Sequence, residues 1–109
     1  MSDDSLADAV AALWRQLAPA QLAAATSLEE AAARVEADPA DAVAWSQVRD
    51  QAHRLAGTLG SFGQDEAGRV AQALEARVGG TVEPDVELRR AARALAVELR
   101  QRIERSIQP

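Results

Sequence analysis

The sequence predicts an all-α fold: an antiparallel up-down-up-down four-helix bundle with an additional N-terminal helix. Three observations lead there. Alanine, leucine, arginine and glutamate dominate a 109-residue chain that is 48% hydrophobic, and all four are strong helix formers. Apolar residues recur at three- and four-residue spacing, and no β-branched run alternates with period two. Proline and glycine punctuate the chain at intervals that suit helices. At this length a single domain over residues 1–109 is expected.

The first helix is expected to start near Asp3 or Asp4 and run to about Leu17, with Leu6, Val10, Leu13 and Leu17 on one face. Pro19 should break it and open a second helix to Ala37, with Leu22, Leu28, Ala32 and Val35 inward. Asp38-Pro39 ends that helix. The third should run from Ala40 or Asp41 to about Ser61 and carries the clearest stripe in the chain: Trp45, Val48, Ala52, Leu55, Leu59 and Phe62. Gly63 closes it. A fourth spans about Gln64 to Val78 through Ala67, Val70, Leu74 and Val78, and Gly79-Gly80 stops it. Pro84 should open a final helix to about Ile107, with Leu88, Ala92, Leu95, Leu99 and Ile103 inward. Short connections favour antiparallel neighbours, which leaves the first helix to cap one end.

Composition excludes several function classes. The formal net charge is −5, whereas a dedicated nucleic-acid binder is usually basic. All 12 basic residues are arginine, so no phosphate-loop lysine exists, and no Gly-rich phosphate loop is present either. Cysteine is absent, which removes disulfides and thiolate metal sites. No stretch approaches the length of a membrane span, and the start Met1-Ser2-Asp3-Asp4 is acidic where a signal peptide is basic. The expected molecule is cytoplasmic and monomeric, binds neither nucleic acid nor membrane, and holds no metal or cofactor. The initiating methionine suits a separate protein.

One residue stands out. His53 is the only histidine. At about 100° per residue it lies about 125° from the centre of the Trp45–Phe62 stripe, so it should project outward. Gly57 and Gly60 follow it at one and two turns. Each costs roughly 1 kcal/mol relative to alanine inside a helix, and alanine is used freely elsewhere in the chain. They strip side chains from the helix beside the imidazole, which lets another protein approach at backbone distance and leaves room for a phosphoryl group. Gly57, Ala56 and Gly60 are therefore the candidate docking contacts. An imidazole in open water is substantially neutral near pH 7, and its free nitrogen is a competent nucleophile toward phosphorus. Arg49, one turn earlier, and Arg54 are candidates to face the added charge. Without an ATP site, the phosphoryl group has to arrive from another protein. His53 has no second histidine or cysteine to share a metal. The arginines of the last helix have Glu87, Glu98 and Glu104 at pairing distance and read as solvated faces.

The stretch Ala52-His53-Arg54-Leu55-Ala56-Gly57-Thr58-Leu59-Gly60-Ser61-Phe62-Gly63 resembles the signature of histidine-phosphotransfer (HPt) domains. That signature has Ala-His, an apolar residue two after the histidine, and glycines four and ten after it. Ala73-Leu74-Glu75 looks like the family's next helix. The resemblance implies a phosphocarrier, not a kinase. Its histidine, here His53, would take a phosphoryl group from a receiver-domain aspartate or a kinase and pass it to another receiver aspartate. The implied partners are a response-regulator receiver domain, which would bring the magnesium, and a sensor or hybrid histidine kinase. Family members commonly carry lysine three residues after the histidine. Ala56 stands there, which leaves Arg49, Arg54 and Gln72 as candidates to stabilise the phosphate. The family often has a polar residue on the neighbouring helix bonded to the histidine, a place for Gln72 or Glu75. The alternative reading is a non-phosphorylated helical adaptor that docks receiver or kinase domains.

Overall fold

The computed structural model describes residues 3–108. Met1 and Ser2 of the acidic start, and Pro109 at the other end, lie outside the described residues. Four helices follow one another: α1 (Asp3–Ala37), α2 (Ala42–Ser61), α3 (Asp65–Val78) and α4 (Val86–Ile107). Each packs chiefly against its two neighbours, in the cyclic order α1, α2, α3, α4. This is the expected antiparallel bundle, and the described residues form no strand.

The helix ends follow from local chemistry. Asp41 caps α2 by accepting a hydrogen bond from the Ala44 amide at 2.9 Å, and Asp85 caps α4 through the Leu88 amide at 2.7 Å. The last helix thus begins two residues beyond Pro84, which is buried and accepts a bond from Arg89 at 2.8 Å. At the end of α2, Gly63 takes φ +68°. The Gln64 amide donates to Leu59 O at 3.0 Å, and the Gly63 amide to Gly60 O at 3.4 Å. This pair of bonds is a Schellman cap, and it needs a left-handed residue where glycine stands.

The additional N-terminal helix is absent. Residues 3–37 form one helix, with Pro19 inside it. Pro19 removes one backbone donor and crowds the preceding turn, a cost of about 3 kcal/mol. The gain on the other side is a single apolar seam running through the proline. Trp14, Ala18, Ala25, Leu28, Ala32 and Val35 are all buried, and full burial of one large apolar side chain contributes about 1.5–3 kcal/mol. Pro19 itself is exposed, so its ring meets solvent and not a neighbouring helix. The face expected to point inward at the start of the chain is also displaced. Leu6, Leu13 and Leu17 are 56%, 49% and 36% exposed, and Trp14 and Ala18 occupy the inward positions instead.

Elsewhere the expected seams are buried, with Leu22, Phe62, Val70, Leu88 and Leu95 at the core's margin. The core is made of alanine and leucine, and among the described residues it contains no buried polar or charged residue. Each tryptophan satisfies its N–H: Trp14 donates to Ser106 Oγ at 3.2 Å and Trp45 to Thr81 O at 2.6 Å. The α4 arginines form ion pairs across the bundle. Arg100 joins Glu29 of α1 and Glu104, and these two carboxylates hold its pKa above the ordinary arginine value. Arg93 reaches Glu36 at 3.3 Å, and Arg102 reaches Glu66 of α3 at 3.3 Å. Such surface pairs contribute at most about 1 kcal/mol each.

If α1 is continuous because its seam outweighs the proline, Pro19→Ala should raise the unfolding free energy by about 1–3 kcal/mol in urea titration. A loss of stability would mean that Pro19 fixes a break the helix needs.

Candidate functional site

The rotation of α2 is set by its buried side. Val48, Ala52, Leu55 and Leu59 are at most 1% exposed, which turns His53 to the opposite side. Its side chain is 80% exposed. The ring stands in a shallow groove that runs along α2 between α1 and α3. Gln21 and Ala24 of α1 form one wall of this groove, and Gln72 and Glu75 of α3 form the other.

α3 runs antiparallel to α2, with Ala71, Leu74 and Val78 buried. That orientation brings Glu75 level with His53. The Glu75 carboxylate bonds the imidazole at Nδ1. Of the two polar residues that the sequence left open, Glu75 is therefore the one paired with the histidine. Gln72 lines the same groove nearly one turn away. Facing an ionised carboxylate, Nδ1 is the donor, and in the neutral ring that leaves the lone pair on Nε2.

The other sequence candidates fall in different places. Arg54 is exposed and lines the groove. Arg49 is half-buried and does not line it, and its Nε is buried without a hydrogen-bond partner. Ala56 is only 7% exposed and forms part of the groove floor. Gly57 and Gly60 are exposed. A Cβ built on either would meet nothing within 4 Å, and neither has positive φ. So nothing within the chain demands glycine at these two positions. Gly68 of α3 is buried against α2, where a Cβ would sit 3.8 Å from Gly60 N and from Leu59 Cβ, an ordinary van der Waals contact that alanine could make. Sequence reasoning did not single out Gly68; its small neighbours Ala67 and Ala71 were the available signal.

Among the described residues no group of three or more His, Cys, Asp or Glu side chains could hold a metal ion. No helix of the described residues is long and apolar enough to cross a membrane.

An exposed imidazole, fixed at Nδ1 on the second helix of a four-helix bundle and bordered by bare backbone, agrees with what comparison with known families returns: the Hpt domain family matches residues 9–108. The chain belongs to the Hpt domain family. No curated protein and no solved structure matches it. Hpt domains carry phosphoryl groups in phosphorelays, possess no kinase catalytic domain of their own, and interact with receiver domains and histidine kinases. The role of this Hpt chain is thus phosphotransfer within a relay.

The open space at Gly57 gives a test of the site that does not depend on activity. Gly57→Ala should stabilise the domain by up to about 1 kcal/mol, since the new methyl meets nothing and the helix gains propensity. A drop in melting temperature would show that the fold, and not an outside partner, requires the glycine.

Proposed function

We propose that His53 is the phosphoacceptor of this Hpt domain and exchanges its phosphoryl group with an aspartate of a response-regulator receiver domain. The observation that carries the reading is a solvent-exposed imidazole whose Nδ1 is tied to Glu75. A histidine whose Nδ1–H is held by a carboxylate presents one nucleophile in one direction.

The step follows from that arrangement. The Nε2 lone pair attacks phosphorus of the receiver's aspartyl phosphate in line with the scissile P–O bond. The new P–N bond forms as the P–O bond breaks, and the aspartate departs as carboxylate. Positive charge develops on the ring, and Glu75, beside the Nδ1 proton, stabilises it. Positioning supplies most of the rest, since phosphoryl transfer asks for little other protein chemistry. The receiver contributes the magnesium and the acidic pocket. Arg54, on the groove beside His53, is placed to meet the added phosphate charge, with Gln72 as a neutral donor on the opposite wall. Arg49 fits this role less well because it stands off the groove. Gly57 and Gly60 give the receiver backbone-distance access to the ring, and Ala56 keeps the groove floor low between them and α1. One domain over residues 1–109 suffices for this carrier role.

The test is label transfer from a phosphorylated receiver domain. Wild-type protein should gain an acid-labile, alkali-stable label, and His53→Gln should gain none. Glu75→Ala should slow transfer about tenfold or more, the loss expected for a hydrogen bond to a charged group, while leaving the label on His53. Glu75→Gln, which can still accept from Nδ1, should recover part of the rate. Label that persists in His53→Gln would refute the assignment, and an unchanged rate in Glu75→Ala would remove Glu75 from it. Gly57→Leu should retain the fold yet slow transfer.

A further inference from the structure

α1 is longer than the bundle it belongs to, with 35 residues against 22 in α4. Trp14 is its first buried residue among those described. It donates to Ser106 near the end of α4 and lies 6.4 Å from Phe62, just past α2. Residues 4–9 are all exposed, so the start of α1 is a helical arm standing in solvent. The arm is not polar all round: Leu6, Leu13 and Leu17 are exposed and Val10 is half-buried. A short helix with nothing against its apolar side is marginal in water, because packing of that side supplies most of a helix's stability.

The pattern on the arm is self-complementary. Successive members of Leu6, Val10, Leu13 and Leu17 are four, three and four residues apart, the spacing of a two-helix seam. At about 100° per residue they share an arc of about 60°. A four-three-four spacing reads the same in both directions. Two arms laid antiparallel about a two-fold axis therefore match position for position: Leu6 of one copy meets Leu17 of the other, and Val10 meets Leu13. Charge does not oppose this pairing. Asp4, Asp8 and Arg15 fall on the far side of the helix, and Ala9 and Ala20, both exposed, border the stripe with side chains small enough for close approach.

We infer that the α1 arm pairs antiparallel with the arm of a second copy of this chain, forming a weak symmetric dimer in place of the expected monomer. Area sets its strength. Each arm offers a patch on the order of a few hundred Å², so two copies bury roughly 1,000 Å² in total, the lower edge of specific interfaces. An interface of that size gives a reversible equilibrium with a Kd on the order of 10–100 µM. The matched stretch stops at Leu17, about 10 Å along α1 from Ala24 of the groove wall. The pairing therefore leaves His53 uncovered on both copies. It also directs the two bundles away from each other, which makes the dimer roughly 75 Å long against 51 Å for one copy. The inference goes beyond the phosphoacceptor reading and does not depend on it.

Sedimentation equilibrium of the whole chain, from about 5 µM to about 1 mM, tests this. Wild-type protein should pass from monomer to dimer across that range, and X-ray scattering of the dimer should give the elongated particle. Leu6→Arg and Leu17→Asp, both at exposed positions, should each weaken association about tenfold or more, with helicity checked by circular dichroism. An equimolar mixture of the two variants should associate about fivefold or more tightly than either alone. The antiparallel register sets the two changed positions against each other as an opposite-charge pair and keeps one Leu6–Leu17 contact intact. A wild-type protein that stays monomeric at about 1 mM overturns the inference and leaves the stripe to a partner of another kind. Single variants that associate like wild type overturn it as well. A mixture no tighter than its components, or a dimer no longer than one copy, contradicts the antiparallel pairing.

Discussion

The packing of one side of α2 governs this molecule. Val48, Ala52, Leu55 and Leu59 are almost wholly excluded from water, and together they leave the helix a single rotation about its axis. Moving His53 into the bundle would require exposing that seam, at about 1.5–3 kcal/mol for each large side chain, against a total stability of about 5–15 kcal/mol for a domain. The core is therefore what keeps the imidazole in solvent. The same rotation sets Ala56 at the groove floor and Gly57 and Gly60 on the open face. The rotation of α3, fixed by Ala71, Leu74 and Val78, brings Glu75 to the ring. Two seams made of small and aliphatic side chains thus place the imidazole and the carboxylate that bonds it.

The site separates what the chain needs from what a partner needs. Gly63 and Gly79 answer to the fold, one by its left-handed backbone and the other because a Cβ there would sit 2.9 Å from Glu75 O. Gly57 and Gly60 answer to neither, because side chains there would point into empty space. Both glycines cost helix propensity without an internal contact that calls for them. The proposed exchange with a receiver aspartate at His53 would supply a reason for them.

Much of this was legible in the sequence. α2, α3 and α4 end within two residues of where breakers and caps put them, because Asp41, Gly63 and Asp85 act locally. The outward direction of His53 followed from periodicity, since the Trp45–Leu59 seam is regular enough to set a phase. α1 was not legible in the same way. Pro19 reads locally as a break, and only the seam on either side of it, made largely of alanines and visible after folding, shows why the helix runs on. Periodicity also identified Leu6, Leu13 and Leu17 as one stripe, but a stripe does not say what covers it. In the folded chain these three remain exposed. The choice between Gln72 and Glu75 was likewise closed to sequence, because both lie near one face of α3 and a small rotation decides which meets the ring.

The most direct test of this account reads the atom that carries the phosphorus. Phosphorus–proton correlation spectra of the phosphorylated protein should couple phosphorus to both ring protons of His53, Hδ2 and Hε1, as attachment at Nε2 requires. Coupling to Hε1 alone would place the group on Nδ1, the nitrogen assigned here to Glu75, and would contradict the account.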